Sequence, residues 1–105
     1  MPISDSLWHS IQALDGQTLH TIGRGHTGRG MPFTVHRDTD ARIVVRPLRG
    51  ESRPIRRLRF DQVLDLGIPP EELRPSMLDV IRPRMTYASY IVGILRELHR
   101  RGELS

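Results

Sequence analysis

Residues 32–47 read PFTVHRDTDARIVVRP. Two runs inside this stretch alternate. In the first, Phe33 and Val35 are apolar while Thr34 and His36 are polar. In the second, Ile43 and Val45 take one side while Arg42, Val44 and Arg46 take the other. A period of two is the pattern of a strand with one buried face. Asp38-Thr39-Asp40 lies between the runs and supplies turn chemistry. The stretch therefore predicts an antiparallel hairpin with a core face and an arginine-bearing face.

Towards the C-terminus, Arg49-Gly50-Glu51-Ser52 reads as a second turn and residues 53–57 as a further strand. From Leu58 the period lengthens. Phe60, Val63 and Leu64 fit one helical face, which Gly67, Pro69 and Pro70 terminate. Residues 75–81 predict two more helical turns before Pro83. The last helix carries Tyr87, Tyr90, Ile91, Ile94, Leu95 and Leu98 on one stripe, with Thr86 as N-cap, Met85 stapled on Tyr90, and Gly102 as the stop. Towards the N-terminus, Leu7, Ile11 and Leu14 recur at helical spacing behind Ser4 or Asp5 as cap, and Gly16 closes that helix. Residues 17–22 predict a short strand.

The order predicts an α+β fold: an N-terminal helix, a small antiparallel sheet of about three strands, then two or three helices. Residues 1–105 read as a single small basic domain. A winged-helix-like arrangement, with the arginine hairpin as wing, is the alternative. The prolines between the two short helices argue against a compact helix-turn-helix.

Composition narrows the chemistry. The chain has no cysteine, which excludes disulfides, thiolate nucleophiles and cysteine-ligated zinc. All sixteen basic residues are arginine, a bias expected of a GC-rich bacterial genome. Without lysine there is no P-loop lysine and no Schiff base. Every positive charge is a planar fork suited to bidentate contact with phosphate. No secretory signal and no apolar span is visible, so a cytoplasmic location away from membranes is the expectation.

The charge is concentrated. Residues 23–60 hold ten arginines against Asp38, Asp40 and Glu51, a net of +7, while the whole chain carries +4. Between Arg42 and Arg59 only Glu51 interrupts the run. Ahead of it lies GRGHTGRG, residues 23–30, which contains a literal G-x-G-x-x-G. That motif binds dinucleotides only between a strand and a helix, and here a strand follows it. The stretch reads instead as a basic loop whose Arg24 and Arg29 reach towards phosphates.

These features predict a non-enzymatic nucleic-acid-binding domain, with duplex DNA favoured because aromatic residues for stacking single strands are nearly absent. Its candidate contacts are Arg24, Arg29, Arg42, Arg46, Arg53, Arg56 and Arg57, with no cofactor and no metal. The alternatives are a module that binds an acidic protein partner and a small ribonuclease using His26 or His36. The C-terminal stripe also offers a shared face for a homodimer.

Overall fold

The computed structural model describes residues 3–22, 29–81 and 87–104, with only the backbone of Ile22 and Arg29. Its elements are α1 (Asp5–Gln12), β1 (Thr18–Ile22), β2 (Arg29–Thr39), β3 (Arg42–Pro47), β4 (Arg53–Arg56), α2 (Arg57–Leu64), 3₁₀ segments at Pro70–Glu72 and Pro75–Val80, and α3 (Ala88–Arg100). The strands form one antiparallel meander in the order β1-β2-β3-β4. The class is α+β as the sequence implies, with four strands in the sheet.

The central hairpin forms as its alternation dictates. Phe33, Val35, Ile43 and Val45 are buried, and so are Leu19 of β1 and Ile55 of β4. They join one core with Trp8, Ile11, Phe60, Ile91, Ile94, Leu95 and Leu98 from the helices. Full burial of Phe33 alone is worth about 2–3 kcal/mol. The alternate strand positions stay exposed or half-exposed, so the helices cover one face of the sheet and leave the other open. The winged-helix alternative does not describe this arrangement, because the sheet precedes α2 and the segment after it is a 3₁₀ turn rather than a recognition helix.

Several boundaries differ from the sequence reading. β2 runs from Arg29 to Thr39, so Asp38 and Thr39 belong to the strand and the reversal falls at Asp40-Ala41. Pro32 is tolerated inside it because β3 stops opposite Phe33, which pairs with Pro47. Residues 75–81 form 3₁₀ rather than α-helical turns. α3 starts at Ala88 with Tyr87 as N-cap; Thr86 and Met85 lie outside the described residues. Ser4, not Asp5, caps α1, accepting from the Leu7 amide at 3.1 Å.

α3 is the central helix. Ile91 to Leu95 are all buried in succession, so it is packed on every side at its middle. Gly93 makes the close approach to the sheet: a Cβ there would stand 2.8 Å from the His20 carbonyl oxygen. A methyl group at that point forces helix and strand apart. Gly30 plays the same part in β2, where a Cβ would fall 2.6 Å from the Thr21 carbonyl oxygen. Part of the glycine-rich stretch is thus strand backbone pressed against β1.

Candidate nucleic-acid interface

The open face is built by β-sheet register. Arg46 stands opposite Thr34, which stands opposite Thr18. Val44 faces His36 on one side and Pro54 on the other. Arg42 and Arg56 are direct cross-strand partners. Arg42, Arg46 and Arg56 therefore share one surface with hydroxyls and imidazoles, and Thr34 Oγ1 lies 2.9 Å from His36 Nε2.

Like charges directly opposite in a sheet repel. Arg42 is offset by Asp38, to which its Nε donates. The Arg46 and Arg56 side chains make no hydrogen bond or ion pair among the described residues. The repulsion deepens where β4 passes straight into α2. Arg56 is the helix N-cap without a side-chain cap bond, and the first turn holds Arg57 and Arg59 but no acid. Cations at a helix N-terminus oppose the macrodipole by a few tenths of a kcal/mol or more each. A depression of about 370 Å³ lies at this corner, lined by Thr39, Ala41, Arg42, Arg56, Arg57 and Leu58.

Not every arginine singled out from the sequence joins this face. Arg57 turns towards α1: its Nη2 donates to the Ile3 carbonyl at 2.8 Å and to Asp5 Oδ1 at 2.9 Å, and its guanidinium sits 5.9 Å from the Trp8 ring centroid. It straps the N-terminal helix to the start of α2, next to the Ile3 amide that donates to Asp61 Oδ1 at 2.6 Å. Arg53 pairs with Val45 and so lies on the side of Ile55, half-exposed at the end of the sheet. Arg29 is the first residue of β2, and its side chain lies outside the described residues, as does all of Arg24. Thr18, His20 and Thr34 are open-face residues that the charge pattern alone did not pick out; the alternation of their strands carried the signal.

The histidines are dispersed. His20 pairs with Pro32, and His36 lies four positions further along β2, a separation of about 13 Å at the strand rise. The two do not meet as an acid–base pair. His26 lies outside the described residues. Among the described residues no group of three His, Asp or Glu is arranged to hold a metal, and no helix is long and apolar enough to cross a membrane.

The second arginine cluster has different surroundings. Arg100 and Arg101 both donate to the Glu97 carboxylate, and Arg101 Nη2 also reaches Gln17 Oε1 at 2.8 Å. Hydrogen bonding from Arg100, aided by Arg101 and opposed by partial burial, holds the Glu97 carboxyl down at about 2. Arg96 donates to the Leu73 carbonyl. The apolar stripe of α3, expected as a shared face for a second copy, is spent on the chain's own core: Ile91, Ile94, Leu95 and Leu98 are fully buried. Compared with known proteins, the chain matches no family model, no curated protein and no solved structure.

Proposed function

We propose that this chain is a non-enzymatic domain that holds a nucleic-acid duplex by its phosphates across the open face of the sheet. The observation that carries the reading is the Arg42–Arg56 pair: two arginines at directly opposite strand positions, with no ion pair to Arg56 among the described residues, at a helix start that has no side-chain cap and no acid in its first turn. An arrangement that costs stability in the isolated protein is relieved when a polyanion supplies the missing negative charge. Arg46 extends the surface. It lies four residues from Arg42 on β3, about 13 Å away, comparable with the ~12 Å width of a B-form major groove. Thr18, Thr34 and His36 add hydroxyl and imidazole groups suited to phosphate oxygens. Among the described residues the face carries no Phe, Tyr or Trp on which single-stranded bases would stack, which favours a duplex.

The reading is tested by mapping backbone amide shifts while a short duplex DNA is added at low salt. Shifts are expected at Thr34, His36, Val44, Arg46 and Arg56. Shifts confined to α1 and α3, or none at all, contradict it. Single-stranded DNA and duplex RNA in the same experiment identify which nucleic acid binds best.

A further inference from the structure

A second surface lies away from the open face, along the free edge of the sheet. A groove of about 780 Å³ is lined on one side by the consecutive residues Thr18, Leu19, His20 and Thr21. Side chains alternate between faces along a strand, so four residues in succession line a groove only when it follows the strand's edge. Among the described residues β1 is that edge: it pairs with β2 and with no other strand. The ladder orientation follows from Gln17, whose carbonyl accepts from the Val35 amide while the Gly16 amide donates back to Val35. Backbone groups alternate along an antiparallel strand, so Leu19 points its N–H and C=O into β2. Thr18 and His20 point theirs outward into the groove, and among the described residues their N–H groups have no partner there.

The opposite wall is the C-terminal end of α3, where Arg96, Arg100 and Arg101 stand against two acids, Glu97 and Glu71. Both carboxylates are engaged, Glu97 by Arg100 and Arg101 and Glu71 by His99 Nε2 at 3.3 Å. Arg100 remains 71% exposed with further N–H groups directed to solvent. Edge strands are commonly blunted by proline, lysine or a covering helix. β1 carries no proline, lysine or arginine; α3 packs along it from the core side, with Gly93 against the His20 carbonyl.

We infer that the groove between β1 and α3 binds an extended acidic peptide segment of another protein, which adds as a fifth strand to the sheet. Backbone hydrogen bonds to the Thr18 and His20 amides give the strand its place, and the exposed Arg100, which keeps N–H groups beyond those given to Glu97, meets acidic side chains. Charge decides against a second copy of this chain. β1 itself, Thr-Leu-His-Thr-Ile, holds no acid, and self-pairing would bring two sets of α3 arginines together.

The test uses a fluorescently labelled synthetic peptide alternating glutamate and valine, with a proline-interrupted version and a lysine–valine version as comparisons. Anisotropy is expected to show binding of the first peptide only, weakened ~10-fold or more by Arg100→Glu and unchanged in an Arg46→Ala/Arg56→Ala variant. In the wild-type protein, added peptide is expected to slow amide exchange at Thr18 and His20 specifically. Equal binding of the proline-interrupted peptide, or unaltered exchange at both amides, overturns the inference. Displacement of the peptide by duplex DNA, or loss of binding in the Arg46→Ala/Arg56→Ala variant, assigns the peptide to the open face and likewise overturns it. A dimer in light scattering that the peptide dissociates assigns the edge to a second copy, with the same consequence.

Discussion

Two clusters of arginine occupy this small protein, and they are employed in opposite ways. On α3, Arg100 and Arg101 share Glu97, and Arg96 is bonded to the Leu73 carbonyl. On β3 and β4, Arg46 and Arg56 are exposed and have no ion pair among the described residues, where Arg42 pairs with Asp38. Secondary structure makes the difference. A helix brings residues three and four apart to the same side, so one glutamate serves two arginines. A strand projects neighbours to opposite faces, and the only acid in the β3–β4 connection, Glu51, lies in a turn beyond both strands. The number of arginines is therefore a poor guide to available charge; their geometry relative to acids is a better one.

Replacing Arg42, Arg46 and Arg56 together with alanine has the largest expected effect: duplex affinity at low salt falls ~10²-fold, since about three phosphate contacts are lost. The matching Arg96/Arg100/Arg101 alanine variant is expected to change duplex affinity less than ~3-fold. Equal losses in both would erase the distinction between the clusters.

Neighbouring residues in the sequence sharpen the contrast. Arg57→Ala removes the strap to Ile3, Asp5 and the Trp8 ring, and is expected to destabilise the protein by about 1–3 kcal/mol. The melting temperature should drop by ~4–8 °C per kcal/mol for a domain of this size. Arg56→Gln, one residue earlier, is expected to raise stability by a few tenths of a kcal/mol, because it relieves the repulsion from Arg42 and from the helix dipole. A melting temperature lowered equally by both would refute the separation into structural and solvent-facing arginines.

A smaller effect is expected in acid. Glu97 titrates at about 2 in the folded chain, below the usual 4.5, because its charged form is held by Arg100 and Arg101. Its contribution is complete above pH ~4.5 and is lost as pH falls towards 2. Glu97→Gln should abolish that component of the acid-induced loss, seen as a flatter stability curve in this window. Urea melts at stepped pH measure it, and an unchanged curve would contradict the pairing.

Much of this architecture was legible in the residues. The alternation of 32–47 specifies both the hairpin and its core face, because a strand's period leaves Phe33, Val35, Ile43 and Val45 no second way to be buried together. The α3 stripe and the Ser4 cap follow from equally local rules. Arg53 was legible in principle: it shares parity with Ile55, the buried residue of β4, and so falls away from the open face. Arg57 was not. α2 begins immediately after β4 with no turn residue to mark the change of direction, and its partners Asp5 and Trp8 lie some fifty positions away. The Arg42–Arg56 opposition and the approach of Gly93 to His20 depend on register and on long-range packing, which local periodicity does not encode.

The central claim is that a small set of unneutralised arginines, rather than the whole basic stretch, meets the phosphates. The measurement that tests it most directly is duplex affinity as a function of salt for the wild-type protein. With about three to five phosphates neutralised, the logarithm of the association constant should fall with the logarithm of salt concentration at a slope of about −3 to −4.5. A slope near zero, or no binding at low salt, would contradict the account.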